Sequence, residues 1–128
     1  MTKWTSDKLD KFGTAEEVQI ASVRPNGKLG KPVTVWAVGV GDDLYVRSVR
    51  GRNSHWFRGV QERHEGRIRA GGAQQEITFV EADPDMNDVV DTAYRTKYRS
   101  YAGSILNSVL TPEARSATLK LVPRAAGS

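Results

Sequence analysis

The apolar run Val33–Val40 (VTVWAVGV) limits the folds that this chain can adopt. Both faces that a β-strand would present are apolar, and β-branched residues are frequent, which is typical of a strand buried on both sides. Turn residues at 41–43 (GDD) separate it from 44–50, where Leu44 and Val46 fall on one face. The two runs therefore predict an antiparallel pair of strands joined by a tight turn.

The remaining pattern predicts further strands and short helices around this pair. It indicates a short helix within 1–12, a strand at 17–24, a helix capped by Ser54 and running to about Glu62, a hairpin of 66–70 with 74–82, a helix opened by Asp83 and Pro84, a helical stretch at 105–110 and a last strand at 117–122. Antiparallel strands with helices late in the chain predict an α+β domain or a small barrel. The length of 128 residues predicts one domain over 1–128, with 123–128 as a disordered tail.

Composition excludes several classes of site. The chain has no cysteine, which excludes disulfides, thiolate metal sites and thiol nucleophiles, and its two histidines are too few for a zinc site built on several of them. We therefore expect no metal. No apolar run is long enough to span a membrane, and the first ten residues lack the apolar region of a signal peptide. These features predict a cytoplasmic protein without a membrane partner.

Arginine is concentrated in the middle of the chain. Residues 47–69 contain seven of the twelve arginines, no lysine and two acidic residues, whereas 81–91 contains five acidic residues and no basic one. Within this region, 45–56 (YVRSVRGRNSHW) combines arginines with two hydroxyls, a glycine and an aromatic ring. Arginine presents a planar fork that matches phosphate oxygens, and a helix beginning at Ser54 would aim backbone N–H groups at an anion. The segment predicts a phosphate site.

Arg47 and Arg50 cannot both serve that site from one regular strand. They are three residues apart, so their side chains would point to opposite faces. Gly51 directly after them predicts that the strand ends there, which would let Arg50 turn back towards Ser48. The alternative for the whole segment is a solvated basic face with Trp56 in the core.

The chain resembles a known superfamily between Ile20 and about Val80. The residues that carry the resemblance are 24–28 (RPNGK), Pro32-Val33, 45–48 (YVRS), Arg50-Gly51 and 55–60 (HWFRGV), with a later Asp91-x-x-Tyr94-x-x-Lys97-Tyr98. They are similar to the flavin- and deazaflavin-binding split β-barrels, which include pyridoxamine-phosphate oxidases and deazaflavin-dependent nitroreductases. Within that superfamily the chain most resembles an uncharacterised bacterial family, domain of unknown function 2255. Arg50 and Gly59 stand where the deazaflavin-dependent relatives have a glycine and an asparagine.

The resemblance implies a six-stranded antiparallel split β-barrel, commonly a homodimer with its cofactor near the subunit interface. It implies a cytoplasmic protein that binds flavin mononucleotide (FMN) or a deazaflavin coenzyme, with oxidoreductase activity as one outcome. The expected cofactor-binding residues are Lys28, Arg47, Ser48, Arg50, Gly51, Ser54, Trp56 and Arg58. No residue is an evident catalytic acid or base. Two alternatives remain open: a small barrel that binds nucleic acid through the same arginines, and a cofactor-free interaction module.

Overall fold

The computed structural model describes residues 3–101 and 103–124 of the chain. Within them, short helices surround one antiparallel sheet. The helices are α1 (Ser6–Thr14), α2 (His55–Arg63), α3 (Asn87–Lys97), α4 (Ser104–Asn107) and α5 (Pro112–Ser116). The strands are β1 (Val18–Ser22), β2 (Val33–Val35), β3 (Ala37–Val40), β4 (Asp43–Arg47), β5 (Glu65–Ala70), β6 (Ala73–Glu81) and β7 (Thr118–Pro123).

The sheet curls into a nearly closed barrel because one stretch of chain supplies both of its ends. The strand order is β2-β1-β5-β6-β7-β4-β3, and β2 and β3 are separated only by Trp36. Val35 pairs with Val18 on one side of the gap, and Ala37 pairs with Val46 on the other. The predicted α+β antiparallel barrel is confirmed. Its strand count is seven rather than six, since the predicted strand Val33–Val40 divides at Trp36.

Helix α3 explains why the ladder divides at this point. The Tyr94 hydroxyl donates to the carbonyl of Trp36 at 2.8 Å, and the Lys97 ammonium donates to the carbonyl of Ala37 at 2.6 Å. The Trp36 ring also stacks on the Tyr98 ring at a centroid distance of 3.9 Å. Side chains from the helix therefore satisfy backbone acceptors where the chain passes from one strand partner to the other.

Apolar side chains fill the barrel and also cover part of its outer surface. Val38 and Tyr45 point outwards and pack under α3, while their neighbours Ala37, Leu44 and Val46 belong to the interior. The predicted burial of both faces is thus confirmed for β3, whereas β2 is only partly covered. The other buried members of the interior cluster are Phe12, Val18, Ile20, Phe57, Val60, Ile68, Ile77, Phe79, Ala117, Leu119 and Leu121.

The predicted caps and turns are found, with changes in extent. Ser54 caps α2, and the hairpin of β5 and β6 turns at 71–72. Asp83 caps a short 3-10 turn, Pro84–Met86, which leads into α3, so it does not cap the α-helix itself. Strand β4 ends at Arg47, earlier than the predicted 50, and 51–53 form another 3-10 turn.

The sheet holds the first residues of the predicted tail. Pro123 is the last residue of β7 and pairs with Ile77, and the backbone N–H of Arg124 donates to the carbonyl of Glu76 at 2.8 Å. The remainder of the predicted tail, 125–128, lies outside the described residues.

Arg47 is buried at the point where β4 ends. The residue is 2% exposed, and its side chain forms an ion pair with Asp91 of α3. The guanidinium also donates to the Thr118 hydroxyl at 2.9 Å, to the Val109 carbonyl at 2.8 Å and to the Asn87 carbonyl at 3.1 Å. These acceptors compensate for the desolvation of the guanidinium and tie β4 to β7, α3 and the segment after α4.

Removing the carboxylate should strongly destabilise the fold. We expect Asp91→Ala to lower the free energy of unfolding by about 3–5 kcal/mol, because Arg47 would remain buried without its counter-charge. Asp88→Ala is the matched control: this neighbouring aspartate has a 91% exposed side chain and should change stability by about 0.5 kcal/mol or less. Urea unfolding followed by circular dichroism measures both, and equal effects would contradict the assignment.

Stability should also depend on Lys97 at alkaline pH. Burial lowers the pKa of Lys97 from 10.5 to about 8. Between these values the unfolded chain holds a proton that the folded chain has lost, so stability should rise with pH in that interval. We expect the free energy of unfolding of the wild type, relative to that of Lys97→Met, to increase between about pH 7 and about pH 9.5. A difference that stays constant or falls would contradict this sign.

Candidate functional site

A cleft with a volume of about 800 Å³ lies beside the N-terminal end of α2. One wall is formed by the end of β1, the β1–β2 loop and the start of β2, with residues from 22–25 and 30–34. The other wall comes from 48–50 and from 54–62, where the chain leaves β4 and enters α2. The cleft therefore joins the arginine-rich segment 45–56 to the chain around two motifs of the resemblance, 24–28 and Pro32-Val33.

Two serines fix the chain at the floor of the cleft. The Ser48 hydroxyl lies 2.7 Å from that of Ser54 and 2.8 Å from the Gly51 carbonyl, to which it donates. Ser54 accepts from the backbone N–H of Phe57 at 3.3 Å, as an N-cap does. Within the described residues, the first-turn backbone N–H groups of His55 and Trp56 have no acceptor. Both residues line the cleft, so the positive end of the helix dipole faces it.

Positive charge is concentrated around this helix end. Arg24, Lys31, Arg50 and Arg58 line the cleft, and Glu62 is the acidic residue among its walls. In 3–101 and 103–124, none of these four cations lies within ion-pair distance of a carboxylate. An anion that enters the cleft would therefore meet cations that need not first break a protein contact.

The other arginines of 47–69 are engaged elsewhere. Arg52, Arg63 and Arg67 form ion pairs with glutamates of the sheet region, at 2.7 Å, 3.4 Å and 2.5 Å respectively. The pairing with Arg52 lowers the pKa of Glu81. Of the seven arginines, Arg50 and Arg58 line the cleft, so the arginines of 47–69 do not form one continuous basic face.

The structure brings together five of the eight residues that the sequence predicted for the site. Ser48, Arg50, Ser54, Trp56 and Arg58 all line the cleft. The end of β4 before Arg50 agrees with the predicted interruption of the strand.

Three predicted residues do not line the cleft. Arg47 is enclosed by protein acceptors, as described above, and its donors are bonded to Thr118, Asp91, Val109 and Asn87. Lys28 sits in the exposed turn of the β1–β2 loop, where its N–H donates to the Asn26 side chain at 3.0 Å. Gly51 is buried behind the floor with a φ of +79°, and a Cβ there would lie 3.3 Å from the Cβ of Glu113. Glycine therefore shapes the turn that carries Ser48.

Sequence reasoning missed Arg24, Lys31 and His55. Arg24 and Lys31 flank the exposed turn of the β1–β2 loop, and the antiparallel pairing of β1 with β2 brings both to the cleft. Lys31 directly precedes Pro32-Val33, one of the motifs that carry the resemblance. This position was the sequence signal that could have identified Lys31 as a residue of the site. His55 is the first residue of α2 and follows from the cap at Ser54.

A second, apolar pocket of about 310 Å³ adjoins the cleft. Thr34, Val49 and Trp56 line both cavities, so Trp56 stands at the boundary between a basic space and an apolar one. The far side of the apolar pocket is formed by Trp36 and by residues around α4, including Ile105.

Metal-binding clusters and membrane-spanning helices are both absent from the described part of the chain. No three of its histidine, aspartate and glutamate side chains come together as metal ligands would. No helix there has the length and apolarity needed to cross a membrane.

Solved structures with the same architecture share little sequence with this chain. A conserved hypothetical protein of Mycobacterium tuberculosis, Rv2991, superposes with a TM-score of 0.66 at 9% identity, covering 98% of this chain and 82% of that one. The heme storage protein HutZ of Vibrio cholerae gives 0.62 at 11% identity, covering 94% and 91%. An F420-H2 dependent reductase gives 0.61 at 13% identity, covering 84% and 93%. The fold is thus the split β-barrel.

The sequence itself matches one family model. No curated protein matches the chain significantly. Residues 8–121 match the model of a family described as an uncharacterized protein conserved in bacteria, DUF2255. This match spans most of the chain, and the chain therefore belongs to the DUF2255 family.

Proposed function

We propose that the basic cleft binds the phosphate-bearing end of a flavin or deazaflavin cofactor, either FMN or a deazaflavin coenzyme. The observation that carries this proposal is a set of four cations, Arg24, Lys31, Arg50 and Arg58, which surround the N-terminal end of α2 and form no ion pair within the described residues. Structural neighbours described as F420 reductases support it by their shared fold.

The residues present fit a ligand of this kind. The volume of about 800 Å³ lies within the range of small-molecule sites. Arg50 and Arg58 would provide planar forks for phosphate oxygens, while the N–H groups of the first turn of α2 would provide backbone donors. Trp56 borders the cleft and offers a flat surface beside which a planar ring can lie.

The division of work between cofactor and protein follows from these residues. The cofactor, when bound, would supply the redox chemistry, which makes an oxidoreductase the activity that we propose. The chain would hold the phosphate through its cations and orient the ring at the Trp56 end. Ser48 and Ser54 are bonded to each other and to the backbone, so their main contribution is to keep this floor rigid.

The proposal predicts a selective effect of Arg50. We expect Arg50→Ala to weaken FMN or deazaflavin binding by about tenfold to a hundredfold, because a charge-assisted bond to phosphate is lost. Arg50→Lys should recover part of the affinity, since lysine keeps the charge without the fork. Arg99→Ala is the control, because Arg99 is an exposed arginine that does not line the cleft. Fluorescence titration of the three variants and the wild type measures these affinities.

Two results of that titration would contradict the proposal. If the wild type binds neither FMN nor a deazaflavin, the cofactor assignment fails. If binding occurs and the Arg50 and Arg99 variants behave alike, the phosphate is held elsewhere. Oligonucleotide binding that weakens steeply with salt, in a protein that binds no cofactor, would instead establish the nucleic-acid alternative.

We also propose that the protein is a homodimer. Val49 and Ile105 are 48% and 56% exposed, and both stand beside the cleft, where a second subunit could cover them. Phe57 is fully buried and cannot contribute to such an interface. Light scattering at micromolar concentration should give twice the chain mass of 14.1 kDa. A monomer mass would reject the dimer.

A further inference from the structure

The apolar pocket behind Trp56 differs in chemistry from the basic cleft that it adjoins. Its walls include Trp36, Val49, Trp56, Ile105 and Val109. Its charged lining residues are Arg47, whose guanidinium is neutralised by Asp91, and Glu17, which is exposed. An anionic ligand would meet the Glu17 carboxylate there without meeting a free cation, so the pocket favours an uncharged molecule.

The wall that Trp36 provides is held in place from behind. The Trp36 ring stacks on the Tyr98 ring with an interplanar angle of 4°. The Tyr101 ring also contacts the Trp36 ring, at a centroid distance of 5.1 Å. The Tyr98 hydroxyl donates to the carbonyl of Glu16 at 2.8 Å, and that of Tyr94 donates to the Trp36 carbonyl. An aromatic wall with fixed partners offers a planar ligand a preformed surface at little cost in conformational entropy.

We infer that this pocket binds an uncharged planar aromatic molecule as a ligand separate from the anion in the cleft. The volume of about 310 Å³ is at the lower end of small-molecule sites and suits a ring system of one or two rings. Because Trp56 borders both cavities, this molecule lies next to whatever occupies the cleft. Its role as a reaction partner of a cofactor rests on the proposed function, whereas its binding does not.

The three tryptophans of the chain allow a direct test with 1-naphthamide, a neutral two-ring probe. Trp36 and Trp56 line the pocket, whereas Trp4 donates its indole N–H to the Leu121 carbonyl at 2.9 Å and lies elsewhere. In the wild-type protein, the indole N–H signals of Trp36 and Trp56 should shift saturably at millimolar probe. The Trp4 signal should not move. Absence of shifts at Trp36 and Trp56, or equal shifts at all three, would overturn the inference.

Two serine substitutions near α4 provide a matched pair. Ser108 lines the pocket, so Ser108→Phe should fill it and reduce naphthamide affinity about tenfold or more. Ser104 is exposed on α4 and does not line the pocket, so Ser104→Phe should leave the affinity unchanged. Undiminished binding in a folded Ser108→Phe protein would overturn the inference, and the wild-type indole shifts decide the matter if that variant does not fold.

The outcome is separable from that of the proposed function. Failure of FMN and of a deazaflavin to bind would end the cofactor proposal and leave the naphthamide result standing, because this probe carries no phosphate and no charge. For the probe to bind, the proposed dimer must cover Val49 and Ile105 without filling the pocket that they line; a second copy of the chain that filled it would exclude the probe from the wild type. That result would overturn the inference.

Discussion

The buried guanidinium of Arg47 is the interaction on which the rest of the structure depends. It forms an ion pair with Asp91 and donates hydrogen bonds to Thr118, Val109 and Asn87. These residues belong to segments that are distant from Arg47 in sequence. A charge in such a position is expensive unless every acceptor is present, so the segments must assemble together. The strand β4 ends at Arg47, and the next residue, Ser48, forms part of the floor of the cleft.

The same residue shows where sequence reasoning fails. Arginine between strand residues and without lysine nearby suggested a phosphate ligand, yet Arg47 has internal partners at positions 87–118. No local pattern reports contacts over such separations. Ser54 was predictable because an N-cap acts within three residues, and the hairpin of β5 and β6 was predictable because Gly71-Gly72 marks its turn.

The positive charge of the cleft was predictable from the sequence, but the set of residues that line it was not. The arginine-rich segment 45–56 indicated an anion site and the resemblance added Lys28, but the structure places Lys31 at the cleft and Lys28 in the exposed turn. The division of Val33–Val40 into two strands could not be predicted for a similar reason. It results from hydroxyl and ammonium groups on α3, about 60 residues away, that bond to the carbonyls of Trp36 and Ala37.

The way in which the barrel closes restricts where its length can change. Since Val33–Val40 pairs with β1 before Trp36 and with β4 after it, one inserted or deleted residue there would turn one half of the stretch inside out relative to the other. The tip of the β1–β2 loop at 25–28 has no such constraint, because it is exposed and lies beyond the bridge between Val23 and Leu29. Loop length can therefore vary at the cleft wall while the barrel stays intact, which makes ligand size the property that this architecture can alter most readily.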